Sequence, residues 1–275
     1  MVPSVKCEVQ SVECDGATCD GLSDNRSVHS RFYAPEAERA GDVVDLPHDE
    51  AQHLVRVLRL MAGAAVRVFN GRGGQFDAVV DTATKAGVQV RVHGRRDAQP
   101  EVHVDVTLAQ AVLKGDKMDD VVRDAVMMGV LAIRPIVTTR SEVALASLRR
   151  SHRQERWQRI SVSSAKQCGR AVVPVVHEPC TFEEALGPLG GTGSPCCRLM
   201  LVEPSAAASV VSVGEVGSKP SGATILIGPE GGWTPEEITL GSSLCRLVTL
   251  GSRTLRADAM GLVAIAALLT HWREL

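Results

Sequence analysis

The sequence has 275 residues, of which 44% are hydrophobic and 23% are charged, and this composition excludes a chain that is disordered throughout. Its 30 Lys and Arg nearly balance its 32 Asp and Glu, so a uniformly basic nucleic-acid-coating protein is excluded, whereas a local basic patch is not. Aromatic residues make up only 3%, so an aromatic platform for stacking successive bases is not expected. The length allows one large domain or two smaller ones.

Residues 1–28 predict a mobile N-terminal extension, because they contain five acids, two basic residues and no hydrophobic core of a signal peptide. A transit peptide would be basic, so we expect a cytoplasmic protein and consider an organelle stroma or matrix less favoured. No apolar run reaches 18 residues, so we expect no membrane span. The eight cysteines lack metal-binding spacing, so we expect reduced thiols and no metal site.

The segment from Arg31 to His93 predicts five short strands and one helix. The predicted strands are Arg31–Ala34, Val43–Leu46, Ala65–Phe69, Gln75–Val80 and Val88–Val92, and the predicted helix is Pro47–Leu58. This pattern favours a small β-barrel domain over residues 29–97, and the polar stretch Gly94–Glu101 is expected to be a linker.

Beyond residue 101 the pattern changes to strands that alternate with helices. The predicted strands are Val102–Leu108, Ala132–Val137, Val172–Val176, Arg198–Val202, Thr224–Ile227 and Leu247–Leu250, and the predicted helices are Met118–Met128, His152–Cys168, Pro235–Gly241 and Ala257–Trp272. Such alternation predicts an α/β domain with a mostly parallel sheet over residues 98–275.

Residues 149–170 contain seven basic residues and only one acid, Glu155. On a continuous helix most of these basic residues would lie within an arc of about 140°. Such a face is either a solvated surface or a surface for phosphate contacts, to which arginines of the barrel would add. The candidate RNA-binding residues are Arg31, Arg56, Arg59, Arg72, Arg149, Arg153, Arg156, Lys166 and Arg170.

Three predicted strands of the second domain end in loops with turn chemistry. The strand that ends at Ile227 leads into a Gly-Pro-Glu-Gly-Gly turn, after which Thr234 and Glu237 predict a capping box at the start of a helix. Leu201–Pro204 and Leu250–Arg256 follow two further strands. Because the carboxyl ends of parallel strands share one edge of a sheet, these loops are expected to converge on a ligand pocket. A merely structural turn is the alternative for the glycine-rich segment.

Seven short motifs occur in order between residues 31 and 272. They are Arg31-Phe32-Tyr33, His53-Leu54-x-x-Val57-Leu58-Arg59, Phe69-Asn70-Gly71, Lys114-Gly115-Asp116-Lys117-Met118, Gln167-Cys168-Gly169-Arg170, Ile227-Gly228-Pro229-Glu230-Gly231-Gly232 and Leu250-Gly251-x-Arg253-x-Leu255-Arg256. The ordered set resembles the RsmE family of the SPOUT superfamily, whose members methylate N3 of one uridine in small-subunit (16S) ribosomal RNA.

The resemblance implies an N-terminal PUA-like β-barrel and a C-terminal α/β domain with a deep trefoil knot, which works as a homodimer. It also implies that S-adenosylmethionine is the cofactor and that small-subunit ribosomal RNA, naked or in the assembled subunit, is the partner. The residues that match the family's cofactor loops are Leu201, Val202, Glu203, Pro204, Ile227, Gly228, Pro229, Glu230, Gly231, Gly232, Leu250, Gly251, Arg253, Leu255 and Arg256.

The candidate catalytic residues are Arg256, Asp258 and Glu230. Uridine N3 carries a proton at neutral pH, so Asp258 or Glu230 is proposed as the base, and Arg256 or Arg253 could stabilise the developing uracil oxyanion. The sequence departs from the family at two places, since Arg256-Ala257-Asp258-Ala259 replaces the usual Arg-Thr-Glu-Thr and Lys166 stands where a Glu is common. Two alternatives are a noncatalytic RNA-binding or ribosome-assembly factor on the same scaffold and a SPOUT methyltransferase with another RNA target.

Overall fold

The computed structural model describes residues 30–84, 86–187, 196–206 and 209–275. The predicted extension of residues 1–28 lies outside these residues. The described chain contains two sheets, one formed by strands up to Arg96 and one formed by strands from Asp105 onward.

The N-terminal sheet has five strands, in the order β1-β3-β4-β5-β2. They are β1 (Arg31–Tyr33), β2 (Val43–Asp45), β3 (Ala65–Phe69), β4 (Gln75–Ala83) and β5 (Val88–Arg96). Only β1 and β3 pair in parallel, and two register shifts between β4 and β5 bend these long strands around a separate apolar core. The five predicted strands are therefore confirmed, although β5 occupies the first part of the predicted linker.

The single predicted helix of this region consists of two parts. Helix α1 (His48–Gln52) continues directly into one turn of π-helix, His53–Val57, and Arg59 then adopts a left-handed backbone with φ of 54°. Leu54 is fully buried on the inner side of this segment. Hydrophobic spacing predicts a helix but cannot distinguish α from π hydrogen bonding. The switch from α-helix to π-helix could therefore not be predicted from the sequence.

The second sheet has eight strands, of which seven follow the order β11-β13-β10-β12-β6-β7-β8, while the eighth, the short strand β9, pairs with β7. They are β6 (Asp105–Ala111), β7 (Ala132–Val137), β8 (Val175–Val176), β9 (Cys180–Thr181), β10 (Cys196–Leu201), β11 (Val211–Ser212), β12 (Gly222–Ile227) and β13 (Arg246–Thr249). Every pairing within it is parallel, so the α/β prediction is confirmed. All six residues of β12 are buried, as expected for a central strand covered on both faces.

The described residues of the second region form six α-helices and one 3-10 turn, Val213–Glu215. The α-helices are α2 (Lys117–Met127), α3 (Leu145–Arg150), α4 (Arg153–Cys168), α5 (Phe182–Leu186), α6 (Pro235–Ser242) and α7 (Ala257–His271). Helix α4 ends at Gly169, whose φ of +87° forms a left-handed C-cap. Helices α3 and α5 are too short to show a clear helical period and were not predicted.

A continuous cationic helix face over residues 149–170 was predicted, and the structure shows this prediction to be wrong. Arg149 and Arg150 end the separate helix α3, and the extended backbone of Ser151 interrupts the helical conformation before α4. Arg170 lies beyond the C-terminus of α4 and is only 7% exposed. Charge counting along the sequence could not detect these breaks, because arginine is compatible with both helices and the turns between them.

Arg31 joins the N-terminal sheet to the C-terminus of α4. Its guanidinium donates hydrogen bonds to the carbonyl oxygens of Ala165 (3.0 Å), Lys166 (3.2 Å) and Arg170 (2.6 Å). It also lies 3.9 Å from the centre of the Phe69 ring. Burial lowers the pKa of Arg31 to about 10. A cation beside the carbonyl oxygens at the C-terminus of a helix stabilises that helix. Arg31 therefore has structural partners at the end of α4, whereas the sequence predicted a contact with an RNA phosphate.

Two more of the predicted RNA-binding residues lie in the same region between the sheets. Lys166 donates to Glu50 Oε2 of α1 at 2.7 Å. Arg170 forms an ion pair with Glu101 at 2.6 Å and donates to the carbonyl oxygen of Val126 at 2.7 Å. We call Arg31, Lys166 and Arg170 the junction cations. Their bonds connect segments that are far apart in the sequence, which is why one-dimensional charge patterns did not reveal them.

Candidate active site

A cavity of about 490 Å³ lies where the carboxyl ends of β10, β12 and β13 meet. Its volume falls within the range of small-molecule sites. Its lining has an apolar component and a charged part, which is the name we give to its acids and cations. The lining residues include Leu201, Trp233, Ile238, Leu250, Leu255 and Met260 among the apolar ones, and Lys117, Arg140, Glu203, Glu230, Arg253, Arg256 and Asp258 among the charged ones.

The Gly-Pro-Glu-Gly-Gly turn after β12 is fixed to its surroundings by Trp233. The indole Nε1 donates to the carbonyl oxygen of Leu201 at 2.8 Å, which ties the turn to the end of β10. A Cβ at Gly228 would stand 3.0 Å from the Trp233 ring, so glycine permits the close packing there. Thr234 and Glu237 form the predicted capping box at the start of α6. The turn therefore presents its backbone to the cavity from a rigid position.

The loop after β7 buttresses the same turn from the other side. Arg140 donates to the carbonyl oxygen of Gly231 at 2.6 Å, and the backbone N–H of Thr139 donates to Glu237 Oε1 at 2.8 Å. Glu237 is buried, and its two carboxylate oxygens accept from Thr139 and Thr234. Sequence reasoning did not include Arg140 in the site, because it lies about 90 positions from the turn that it contacts.

The loop between β13 and α7 supplies the third wall of the cavity. Arg256 forms two hydrogen bonds with Asp258, from Nε to Oδ1 at 3.0 Å and from Nη2 to Oδ2 at 2.6 Å. These bonds hold the pKa of the Asp258 carboxyl below its usual value. Asp258 lies in the first turn of α7, where the helix dipole also favours a negative charge. The predicted catalytic residues Arg256 and Asp258 thus form one fork-shaped pair.

Glu230 accepts two hydrogen bonds from the start of α2. Lys117 Nζ donates to Glu230 Oε1 at 2.9 Å, and the backbone N–H of Lys114 donates to the same oxygen at 3.3 Å. Partial burial raises the pKa of Glu230, but the hydrogen bond from Lys117 and those from backbone amides outweigh it, so the pKa lies below the usual value. At neutral pH both carboxylates, Glu230 and Asp258, are therefore ionised and held by cations.

The structure brings together fourteen of the fifteen predicted cofactor-binding residues and all three predicted catalytic residues in this one cavity. Gly251 is the exception, since it adopts φ of +109° in the third loop without lining the cavity. The lining residues that sequence reasoning missed are Lys117, Arg140, Ala206, Trp233, Ile238, Thr249, Thr254, Ala257 and Met260. Lys117 stands in one of the recognised motifs, so that motif was the available indication of its role.

The other six predicted RNA-binding residues are distributed over the surface. Three of them pair with acids, while Arg56, Arg59 and Arg153 form no side-chain hydrogen bond or ion pair with any residue that the structure describes. The paired ones are Arg72 with Glu38, Arg149 with Glu184, and Arg156 with Asp116 and Asp119. Arg56 and Arg59 are exposed beside Val57 and Met61, which are 66% and 72% exposed.

Two kinds of structural feature are absent from the described parts of the chain. No group of three or more His, Cys, Asp or Glu side chains there is arranged to hold a metal ion. No helix there has the length and apolar composition that crossing a bilayer requires.

Comparisons with known proteins identify both regions of the chain. Residues 100–269 match the model of an RNA methyltransferase domain, and residues 46–92 match that of an RNA methyltransferase PUA domain. The chain is 31% identical over 226 residues to the ribosomal RNA small subunit methyltransferase E of Synechocystis sp., which covers 81% of this chain and 71% of that protein. It is 28% identical over 243 residues to the same-named protein of Rickettsia conorii, covering 86% and 94%.

Solved structures that resemble this chain are also methyltransferases. A ribosomal RNA small subunit methyltransferase E from Neisseria gonorrhoeae, bound to S-adenosyl methionine, superposes with a TM-score of 0.79 at 31% identity, covering 89% of this chain and 98% of that one. A putative methyltransferase from Legionella pneumophila, in complex with the same cofactor, gives a TM-score of 0.79 at 28% identity, covering 88% and 97%. This chain, with its PUA-like N-terminal region and its RNA methyltransferase domain, belongs to the ribosomal RNA small subunit methyltransferase E family.

Proposed function

We propose that this protein transfers the methyl group of S-adenosylmethionine to N3 of one uridine in small-subunit (16S) ribosomal RNA. The observation that carries the proposal is the cavity formed by Leu201–Pro204, Ile227–Gly232 and Leu250–Arg256, in a chain whose relatives are named for methylation of this RNA. Family membership supports the type of reaction, and we propose that the reaction takes place in the cavity.

The cavity fits the chemistry of the cofactor. An adenine ring requires an apolar slot with backbone polar groups at its edge, and Trp233, Leu250 and Met260 offer apolar surface beside the exposed backbone of the glycine-rich turn. A sulfonium and an amino acid tail require acids and cations, which the charged part supplies. We therefore propose the fourteen predicted lining residues as cofactor-binding residues, with Gly251 shaping the third loop. When bound, S-adenosylmethionine supplies an electrophilic methyl group on a positively charged sulfur.

We propose that the catalytic residues on the same loops lie beside the reacting base. The Arg256–Asp258 pair holds the guanidinium at the cavity, where we propose that it contacts the uracil or its flanking phosphate. Because hydrogen bonds lower the pKa values of both Asp258 and Glu230, each is a weaker proton acceptor than an ordinary carboxylate. Their proposed role therefore moves from general base toward holding cations in position. N3 lies on the pairing edge of uracil, so the target base must be unpaired or extruded.

RNA contacts are proposed on the surface arginines that have no partner or that pair with a surface acid, among which Arg149 also donates to the carbonyl oxygen of Pro179. Arg56, Arg59 and Arg153 are available for phosphates, and Arg72, Arg149 and Arg156 can exchange an acid for a phosphate at small cost. Arg31 and Lys166, whose bonds cross between the two regions, are proposed instead to hold the PUA-like region against the methyltransferase domain, while Arg170 fixes Glu101 and the carbonyl of Val126 within that domain.

A homodimer and a trefoil knot remain parts of the proposal. Helix α7 is apolar around its whole circumference, and Val263 on it is 40% exposed, which supports contact with a second copy. The chain passes from β10 to β11, back across to β12, and across again to β13 on the other side of β10, and this repeated crossing supports a knot. We also propose domains at 29–97 and 98–275, and a cytoplasmic location.

Methyl transfer to small-subunit RNA tests the function directly. We expect ribosomal RNA from a strain that lacks the gene to have lost N3-methyluridine by mass spectrometry, and the purified protein to restore it with S-adenosylmethionine. An intact N3-methyluridine signal in the deletion strain would contradict the assignment. Cofactor binding by calorimetry without any methyl transfer, to naked RNA or to subunits that lack the modification, would favour a noncatalytic assembly factor.

A further inference from the structure

Lys117 stands at the charged part of the cavity and belongs to neither the predicted cofactor-binding set nor the predicted catalytic set. It is the first residue of α2, directly after the loop in which Gly115 adopts φ of +64°. Glu230 Oε1 accepts from both Lys117 Nζ and the backbone N–H of Lys114, so one carboxylate oxygen fixes the lysine and the start of its helix together.

The Lys117 ammonium has hydrogen-bonding capacity to spare. It carries three N–H donors, and one of them is engaged, with Glu230. Its side chain is 37% exposed, which leaves the remaining donors open to the cavity. Two other cations of the lining are anchored as well, Arg140 by the Gly231 carbonyl and Arg256 by Asp258. Arg253 has no hydrogen-bonding or ion-pairing partner among the described residues that would fix its position.

The proposed reaction requires a cation with free N–H donors near the target base. Loss of the proton from uracil N3 leaves a negative charge that is shared by N3 and the two adjacent carbonyl oxygens. A preorganised donor aimed at one of those oxygens stabilises this anion, as donors of an oxyanion hole do. Hydrogen bonds from Lys117 and Arg256 lower the pKa of Glu230 and of Asp258, so each carboxylate is a weaker base than usual.

We infer that Lys117 is a catalytic residue, whose ammonium donates to a uracil carbonyl oxygen and stabilises the N3 anion of the target uridine. This inference rests on the proposed function. The N3–H bond breaks and the proton passes to water. The electron pair left on N3 forms the new bond to the methyl carbon, while the bonding pair of the departing methyl stays on sulfur. Glu230 is then a positioning residue, because it acts through Lys117.

The pH dependence of methyl transfer distinguishes this role from a structural one. We would measure single-turnover rates of the full-length protein with saturating cofactor and RNA, between about pH 6.5 and about pH 9.5. Lys117→Gln is expected to be about 100-fold slower near neutral pH, as for loss of an oxyanion-hole donor. As the pH rises, the difference in rate between the wild type and Lys117→Gln should shrink about tenfold per pH unit, since uridine then loses its N3 proton without help from the lysine. Lys117→Arg, which keeps the charge, is the matched comparison and should lose less of the neutral-pH rate than Lys117→Gln.

Chemical rescue provides a second readout. Replacing the target uridine with 5-fluorouridine makes N3 more acidic, because fluorine withdraws electrons. This RNA should restore Lys117→Gln selectively at neutral pH while changing the wild type little. Calorimetry should show that the variant binds S-adenosylmethionine as the wild type does.

The outcomes separate this inference from the proposed function. A deficit of equal size at every pH, an unchanged rate, an absence of rescue by 5-fluorouridine, or loss of cofactor binding would each overturn the role of Lys117. Failure of the wild type to methylate N3 of any uridine would instead overturn the proposed function.

Discussion

The cavity and the junction between the two sheets both depend on arginine and lysine, but they use these residues in different ways. At the junction Arg31 and Arg170 are tied to carbonyl oxygens and a carboxylate, and Arg170 is 7% exposed. At the cavity Lys117 and Arg256 each pair with one acid and stay open to solvent. A fully satisfied buried cation stabilises an arrangement, whereas a half-satisfied exposed one can still bind a ligand. Burial and partners therefore decide which basic residues are structural.

The largest expected effect on stability lies at the junction. Arg170→Met should lower the free energy of unfolding by about 3 kcal/mol, because it leaves Glu101 and the Val126 carbonyl without their cationic partner. Chemical denaturation of the full chain measures this. The matched control is Arg156→Met, which removes a pair on the surface and should cost less than about 1 kcal/mol. Equal losses of unfolding free energy in the two variants would contradict the distinction between junction and surface cations.

The largest expected effect on catalysis lies at the cavity. Asp258→Asn should slow single-turnover methyl transfer about 100-fold, because the neutral amide no longer holds the Arg256 guanidinium through two charged hydrogen bonds. The change in unfolding free energy should stay below about 1 kcal/mol, since the pair is exposed. Asp258→Glu, which introduces the acid usual in the family, is the control and should keep most of the rate. A rate unchanged in Asp258→Asn would remove the pair from the mechanism.

A smaller effect, on acid stability, is expected at the C-terminus, away from both regions. Glu274 accepts from the backbone N–H of His103 (2.6 Å) and from Lys219 Nζ (2.9 Å), and these bonds lower its pKa to about 2. A carboxyl whose folded pKa is depressed stabilises the fold above its unfolded value, and this contribution disappears as the pH falls from about 4.5 to about 2. Denaturation curves of Glu274→Gln should therefore lose part of the acid dependence in that interval. Superimposable pH profiles for variant and wild type would refute this.

Much of the fold was predictable from local patterns. Alternating apolar residues and turn chemistry predicted the five N-terminal strands, and Ala132–Val137 was predicted with its observed limits. The capping box of Thr234 and Glu237 was predictable because its bonds span only three residues. Short elements such as α3 and α5 escaped, because one turn of helix carries too little periodicity to stand out.

The candidate site was predictable as a set of loops but not as a set of contacts. The loops after β10, β12 and β13 were identified by their turn chemistry and by their resemblance to a known family, and a parallel sheet brings such loops to one edge. Lys117, Arg140 and Trp233 were missed because they reach the site through bonds to residues 32 to 113 positions away. No periodicity within the sequence encodes such separations.

By itself, the sequence determined the alternation of elements, the glycine-rich turns and the family, because these depend on residues that are near neighbours along the chain or on ordered motifs. Only the tertiary structure decided what each charge does. It separated Arg149 from α4, half-buried Arg31 against the end of α4, buried Arg170 beside Glu101, and set Lys117 against Glu230. The physical reason is that the free energy of a charge depends on its burial and its partners, and both are fixed only when distant segments of the chain meet.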